Sequence, residues 1–206
     1  VGSEMCIRDR LKIIDDAVEE LWRDRNMLPQ LGIRCDVGLG KTRQSIKAAV
    51  RWVQEGHAVL EDGTPAPVIF TVPTHRLGDE IVRRFTETAR SRGLPGIKIA
   101  VWRGRAAADP DSLNGTMCSN LDAVKLAHKA GADVQESVCK SKTSQCPLFE
   151  TCAYQRQRKK KADIWIAAHA SLFHERPETI GQPSLLIIDE NFVNASLRGF
   201  DFNGIQ

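Results

Sequence analysis

The stretch that most constrains the fold of this 206-residue chain is Ile33 to Ser45, I-R-C-D-V-G-L-G-K-T-R-Q-S. An apolar run, Leu31 to Ile33, enters a glycine-containing turn, and a segment of helical period follows Lys41-Thr42. That strand–loop–helix order is what a phosphate-binding loop requires. Gly38 and Gly40 can take positive φ without a Cβ clash, so the N–H groups of Asp36 to Gly40, through Val37 and Leu39, can face one anion. The helix behind the loop adds its N-terminal partial positive charge. In this arrangement Lys41 reaches the β/γ-phosphates of ATP and the Thr42 hydroxyl ligates Mg²⁺. The general pattern G-x-x-x-x-G-K-[ST] asks for glycine at position 35, where this chain has Cys35.

Apolar runs at Val68–Val72, 97–102, 163–168 and Leu185–Ile188 alternate with helical patterns at 11–25, 42–54 and 76–92. The alternation predicts a parallel α/β sheet flanked by helices. With 42% hydrophobic residues the chain can bury a sizeable core. A net charge of only +3 means that any nucleic-acid footprint is local rather than global. No apolar run reaches the length of a membrane span and no secretory leader is visible, so a cytoplasmic protein without membrane contact is expected. The first ten residues resemble a translated sequencing-adaptor string and are set aside, Cys6 with them.

Three further constellations carry chemistry. Leu185 to Ile188 ends in Asp189-Glu190, the Walker B order, in which Asp189 holds Mg²⁺ and Glu190 orients and deprotonates the attacking water. Cys118, Cys139, Cys146 and Cys152 are spaced C-x20-C-x6-C-x5-C within a segment of weak periodicity. Four thiolates suit a [4Fe–4S] cluster or a tetrahedral Zn²⁺ ion, and the spacing lacks the C-x2-C pairs of zinc ribbons. Buried free thiols are the plain alternative. Tyr154 to Lys161, Y-Q-R-Q-R-K-K-K, is either a solvated helix face or a strip that follows a nucleic-acid backbone while Tyr154 stacks on a base. A lone histidine at a strand end, such as His169, reads as a hydrogen-bonded structural residue rather than a ligand.

The order of these pieces resembles the first motor domain of the superfamily 2 iron–sulfur DNA helicases, the XPD/DinG group. The resemblance covers roughly residues 30 to 192 and rests on the G-L-G-K-T loop, Val72-Pro73-Thr74, the four cysteines, the A-D-I-W-I-A-A-H-A-S-L segment at 162–172 and Asp189-Glu190. It implies a RecA-like P-loop NTPase fold in which residues 11–105 and 162–206 form the motor. Residues 106–161 would form an inserted, small, mostly helical four-cysteine domain. It implies ATP, Mg²⁺ and a [4Fe–4S] cluster as cofactors and single-stranded or forked DNA as partner. The resemblance makes Pro73 and Thr74 contacts for the DNA backbone; Arg103 and Arg105, and Tyr154, Arg156 and Arg158 of the basic run, are the other candidate nucleic-acid contacts. The family's motif II usually reads Asp-Glu-Ala-His; here Asn191 and Phe192 take the last two places. The second RecA-like domain with its arginine finger is missing, which points to a fragment. Such a fragment should hydrolyse ATP poorly, since that finger is typically worth ~10³–10⁵ in rate. Two other readings stay open: a P-loop ATPase with a zinc-binding insertion, and a degenerate, non-catalytic nucleic-acid-binding module.

Overall fold

The computed structural model describes residues 40–174 and 176–190, without the side chains of residues 75 and 76. The expected helix at 11–25, the strand at 31–33, loop residues Cys35, Asp36, Val37, Gly38 and Leu39, and Asn191-Phe192 lie outside the described residues. The chain divides into two compact units, Val1–Gln44 and Ser45–Gln206.

Helix α1 is Lys41–Gln54, β1 is Val68–Val72 and α2 is His75–Ser91. Strand β2, Ile99–Trp102, is followed by the cysteine-bearing segment with α3 (Leu121–Lys129), a π-helical turn (Gln135–Cys139) and α4 (Ala153–Gln157). Then come β3 (Ile164–Ala168), a 3-10 turn (His169–Phe173) and β4 (Leu185–Ile188). The four strands form one sheet in the order β2-β3-β1-β4, with every neighbouring pair parallel. The apolar runs read from the sequence therefore become strands within a residue or two of the expected bounds, and the α/β class holds.

Alternation along each strand assigns its two faces. Val68, Phe70, Val72, Ile164 and Ile166 join Ile46, Ala49 and Val50 of α1 and Ile81 and Phe85 of α2 in one core. Phe70 and Phe85 meet edge to face at 5.2 Å. Leu77 lies at the same helical spacing as the inward Ile81 and Phe85, yet it is 41% exposed. Gly78 takes the inward place, and a Cβ there would meet Val101 Cγ1 at 3.4 Å, so the glycine lets helix and sheet approach closely.

The other face of the sheet buries Ile69, Trp165, Ala167 and Trp102 against Met117, Cys118, Val124, Ala127, Val134, Cys139, Ala153 and Tyr154. The segment after β2 thus has no core of its own but shares one with the sheet. Its few, scattered apolar residues bury their surface by covering Trp102 and Trp165. Across β4 that face is uncovered among the described residues, and Leu186 and Ile188 are 45% and 38% exposed. No helix among the described residues is long and apolar enough to cross a membrane.

Candidate metal and nucleotide sites

In a parallel sheet all carboxyl ends share one edge, where α/β proteins place their ligands. The register pairs Val72 with Ala168, Thr71 with Ile188 and Trp102 with Ala167. Pro73 and Thr74, Arg103, His169, and Asp189 and Glu190 all follow strand ends on that edge. Pro73 is half-buried, and Thr74 is exposed at the N-cap of α2 with extended backbone. Asp189 continues the β4 ladder, its N–H donating to the Thr71 carbonyl at 3.0 Å. Glu190 leaves the strand with φ 68, in the left-handed region. In the first unit, Gly40 has φ 75 and its carbonyl accepts the Gln44 N–H at 3.1 Å, closing the first turn of α1. Lys41 and Thr42 open that helix, Lys41 exposed and Thr42 half-buried.

The four cysteines arrive from three local structures. Residues 105–118 run out and back as an irregular hairpin, with Ala108 bridging Thr116 and the Cys118 N–H donating to the Arg105 carbonyl at 3.0 Å. A second hairpin bridges Lys140 and Gln145, and the Cys146 N–H donates to the Cys139 carbonyl at 2.9 Å. Ser141 Oγ fastens its turn by accepting the Ser144 N–H at 2.8 Å. Cys152 is the N-cap of α4, and its Sγ–H donates to the Met117 carbonyl at 3.4 Å, tying it to the first hairpin.

All four cysteines line one small, partly open cleft, with Val138, Leu148, Phe149, Asn120 and Gln155. None is in a disulfide; Cys118 and Cys139 are buried, and Cys146 and Cys152 half-buried. Asn120 Nδ2 approaches Cys146 Sγ at 3.9 Å. Burial, followed by repulsion from the nearby Cys152 and Cys139 thiolates, pushes the Cys118 thiol above its ordinary pKa, while the Asn120 N–H and the Arg105 charge pull it down. Among the described residues no three His, Cys, Asp or Glu side chains form a ready-made site for a single metal ion.

The basic residues chosen from sequence do different work. Arg103 is 8% exposed, and its guanidinium pairs with Asp79 of α2. Its peptide groups are clamped by Gln157: Arg103 N–H donates to Oε1 at 3.1 Å, and Nε2 donates to the Arg103 carbonyl at 2.7 Å. Arg105 lays its guanidinium 4.2 Å from the Tyr154 ring centre, and its Nε is buried with no hydrogen-bond partner among the described residues. Tyr154 is 7% exposed and meets Trp102 edge-on at 5.7 Å. A base cannot stack on a ring that the protein has already covered, so the expected stacking role of Tyr154 is replaced by a structural one. Arg156 is exposed but bonds the Thr151 carbonyl at 2.7 Å and pairs with Asp109 and Asp111 at 3.7 and 3.5 Å. Arg158 is half-buried, and its carbonyl accepts the Thr179 hydroxyl.

The run from Tyr154 to Lys161 is therefore two-sided. Tyr154, Gln155 and Gln157 face the core, while Lys159, Lys160 and Lys161 are exposed. Period alone could have separated these sides. The clamp by Gln157 and the role of Arg105 could not be read in advance, because they join residues far apart in sequence. His169 is as the sequence suggested, hydrogen-bonded and 2% exposed, with Nε2–H donating to the Asp189 carbonyl at 2.8 Å. No family model matches this chain, and neither a curated protein nor a solved structure does.

Proposed function

We propose that this chain is the first, RecA-like motor domain of an ATP-dependent DNA helicase, carrying an inserted four-cysteine metal segment. The observation that carries the reading is the convergence of Cys118, Cys139, Cys146 and Cys152 on one cleft. It is supported by an all-parallel sheet that ends β4 in Asp189-Glu190. The donor set fits an anionic thiolate-bound group. The Arg105 guanidinium, whose Nε is buried with no hydrogen-bond partner among the described residues, partly opposes the burial that raises the Cys118 thiol pKa, and so would supply a counter-charge. The four thiolates would hold a [4Fe–4S] cluster, which would cross-link the hairpins to α4 without taking part in hydrolysis.

On the nucleotide side, Lys41 and Thr42 open α1, whose N-terminal partial positive charge favours phosphate, and the Thr42 hydroxyl would ligate Mg²⁺. Asp189 and Glu190 carry the metal and water roles. Pro73 and Thr74 face the same edge as a contact for the DNA backbone. Lys159 to Lys161 add an exposed basic strip beside the cysteine segment.

The test is an anaerobic absorption spectrum with iron and zinc analysis, run beside ATP hydrolysis by the full-length protein and its Lys41→Ala variant. A brown protein with about four iron per chain, and hydrolysis that Lys41→Ala abolishes, supports the reading. Stoichiometric zinc without colour replaces the cluster by a zinc centre. Hydrolysis unchanged by Lys41→Ala removes the motor.

A further inference from the structure

The main chain at the end of β4 is bonded by a residue from the turn that follows β3. His169 is the first residue of the 3-10 turn after β3, and its buried ring donates from Nε2 to the Asp189 carbonyl at 2.8 Å. On the other side of the same residue, the Asp189 N–H donates to the Thr71 carbonyl of β1 at 3.0 Å. Thr71 is itself fully buried, with Oγ1 donating to the Ile187 carbonyl at 3.4 Å. Both peptide groups of Asp189 are thereby fixed, one by the strand beside it and one by the exit from β3. The next residue, Glu190, is the one non-glycine residue with positive φ among the described residues.

A left-handed glutamate persists only where its surroundings hold it there. The bond from His169 falls on the peptide that joins Asp189 to Glu190, and the tilt of that peptide sets the direction in which Glu190 leaves the strand. Freed from the ring, this peptide can rotate, Glu190 can relax to ordinary backbone, and its carboxylate swings away.

We infer that His169 is a positioning residue for the Asp189-Glu190 pair: it orients the water-activating carboxylate by gripping the main chain before it, touching neither nucleotide nor metal. The inference rests on the ATPase reading above. A histidine that merely filled space and satisfied a carbonyl would change stability alone, whereas a positioning histidine changes turnover while nucleotide affinity stays.

The experiment compares His169→Leu, which keeps bulk but has no donor, with His169→Gln, whose amide can reach the same carbonyl. Steady-state ATP hydrolysis is measured on the full-length, metal-loaded protein, with melting temperature in parallel. His169→Leu is expected to lower kcat about 10–100-fold with the KM for ATP little changed, the scale at which small misplacements act. His169→Gln should recover most of that loss. A folded His169→Leu variant with wild-type kcat, or equal losses in both variants, overturns the inference. Should His169→Leu not fold, His169→Gln decides alone: near-wild-type kcat supports the donor role, and a 10–100-fold loss overturns it. Lys41→Ala serves as the control. If it leaves hydrolysis intact, the ATPase reading itself fails; if it abolishes hydrolysis while His169→Leu does not lower kcat, only the role of His169 fails.

Discussion

Replacing Gln157 by Met tests how the cysteine segment is fastened to the sheet. Gln157 is 3% exposed and makes two bonds to the main chain of Arg103, at 3.1 and 2.7 Å. Arg103 directly follows β2, and two residues later the Arg105 carbonyl receives the Cys118 N–H. Met keeps most of the volume and removes both hydrogen-bonding atoms, leaving a buried N–H and a buried C=O to find other partners. Each such loss costs about 1–3 kcal/mol. Local relaxation and water entry recover part of this, so the net expectation is about 3 kcal/mol. For a chain of this size that lowers the melting temperature by about 6–12 °C, at about 2–4 °C per kcal/mol. Thermal and urea unfolding of the purified variant measure it. A shift equivalent to less than about 0.5 kcal/mol, the ordinary level for an unimportant surface position, would refute the clamp. The Arg103 turn would then be held by its pairing with Asp79 and by β2 packing alone.

Other outcomes are specific to single positions. Gly78→Val should destabilise by about 1–3 kcal/mol, because its added carbons enter the space of Val101 and Ile166. Gly78→Ala should be far milder, since the helix propensity it gains offsets a contact at 3.4 Å; paired urea titrations distinguish the two. Glu190→Gly should raise the melting temperature by about 2–4 °C, by relieving a left-handed residue worth about 1 kcal/mol, and on the proposed ATPase reading it should abolish hydrolysis. In metal-free protein, Cys118 should alkylate more slowly than the half-buried Cys146 and Cys152, as mass-resolved labelling at mildly alkaline pH can show. Because burial raises the Cys118 thiol pKa in the folded state, its contribution to stability is complete below the ordinary thiol range. It is lost as pH rises through that range, when the unfolded chain ionises first. Stability of the metal-free form measured against pH should therefore fall on the alkaline side.

Much of the sheet was legible in one dimension. Val68–Val72, apolar but for Thr71, and Leu185–Ile188 are short runs bounded by turn residues; the first is buried on both faces, as a strand in a parallel sheet can be, so the runs themselves mark the strands. That the four cysteines line one cleft shows only in the structure, because residues 118, 139, 146 and 152 carry no shared period that would bring them together. Nor was the facing of α2 fully legible. Leu77 has the hydropathy of an inward residue, but it is the next residue, Gly78, that faces Val101 of β2 and Ile166 of β3.

Sequence alone determined the class of fold, the strand bounds and the residue types at the carboxyl edge, because periodicity and turn chemistry are local properties of the chain. Only the tertiary structure decided which of the charged and aromatic residues remain available. Arg103 and Tyr154 read as surface contacts, yet Asp79, Gln157, Trp102 and Arg105 claim them from positions far along the chain. Likewise the left-handed turn at Glu190 and its support from His169 exist only once β3 and β1 lie side by side, because hydrogen bonds between distant residues follow strand pairing rather than composition.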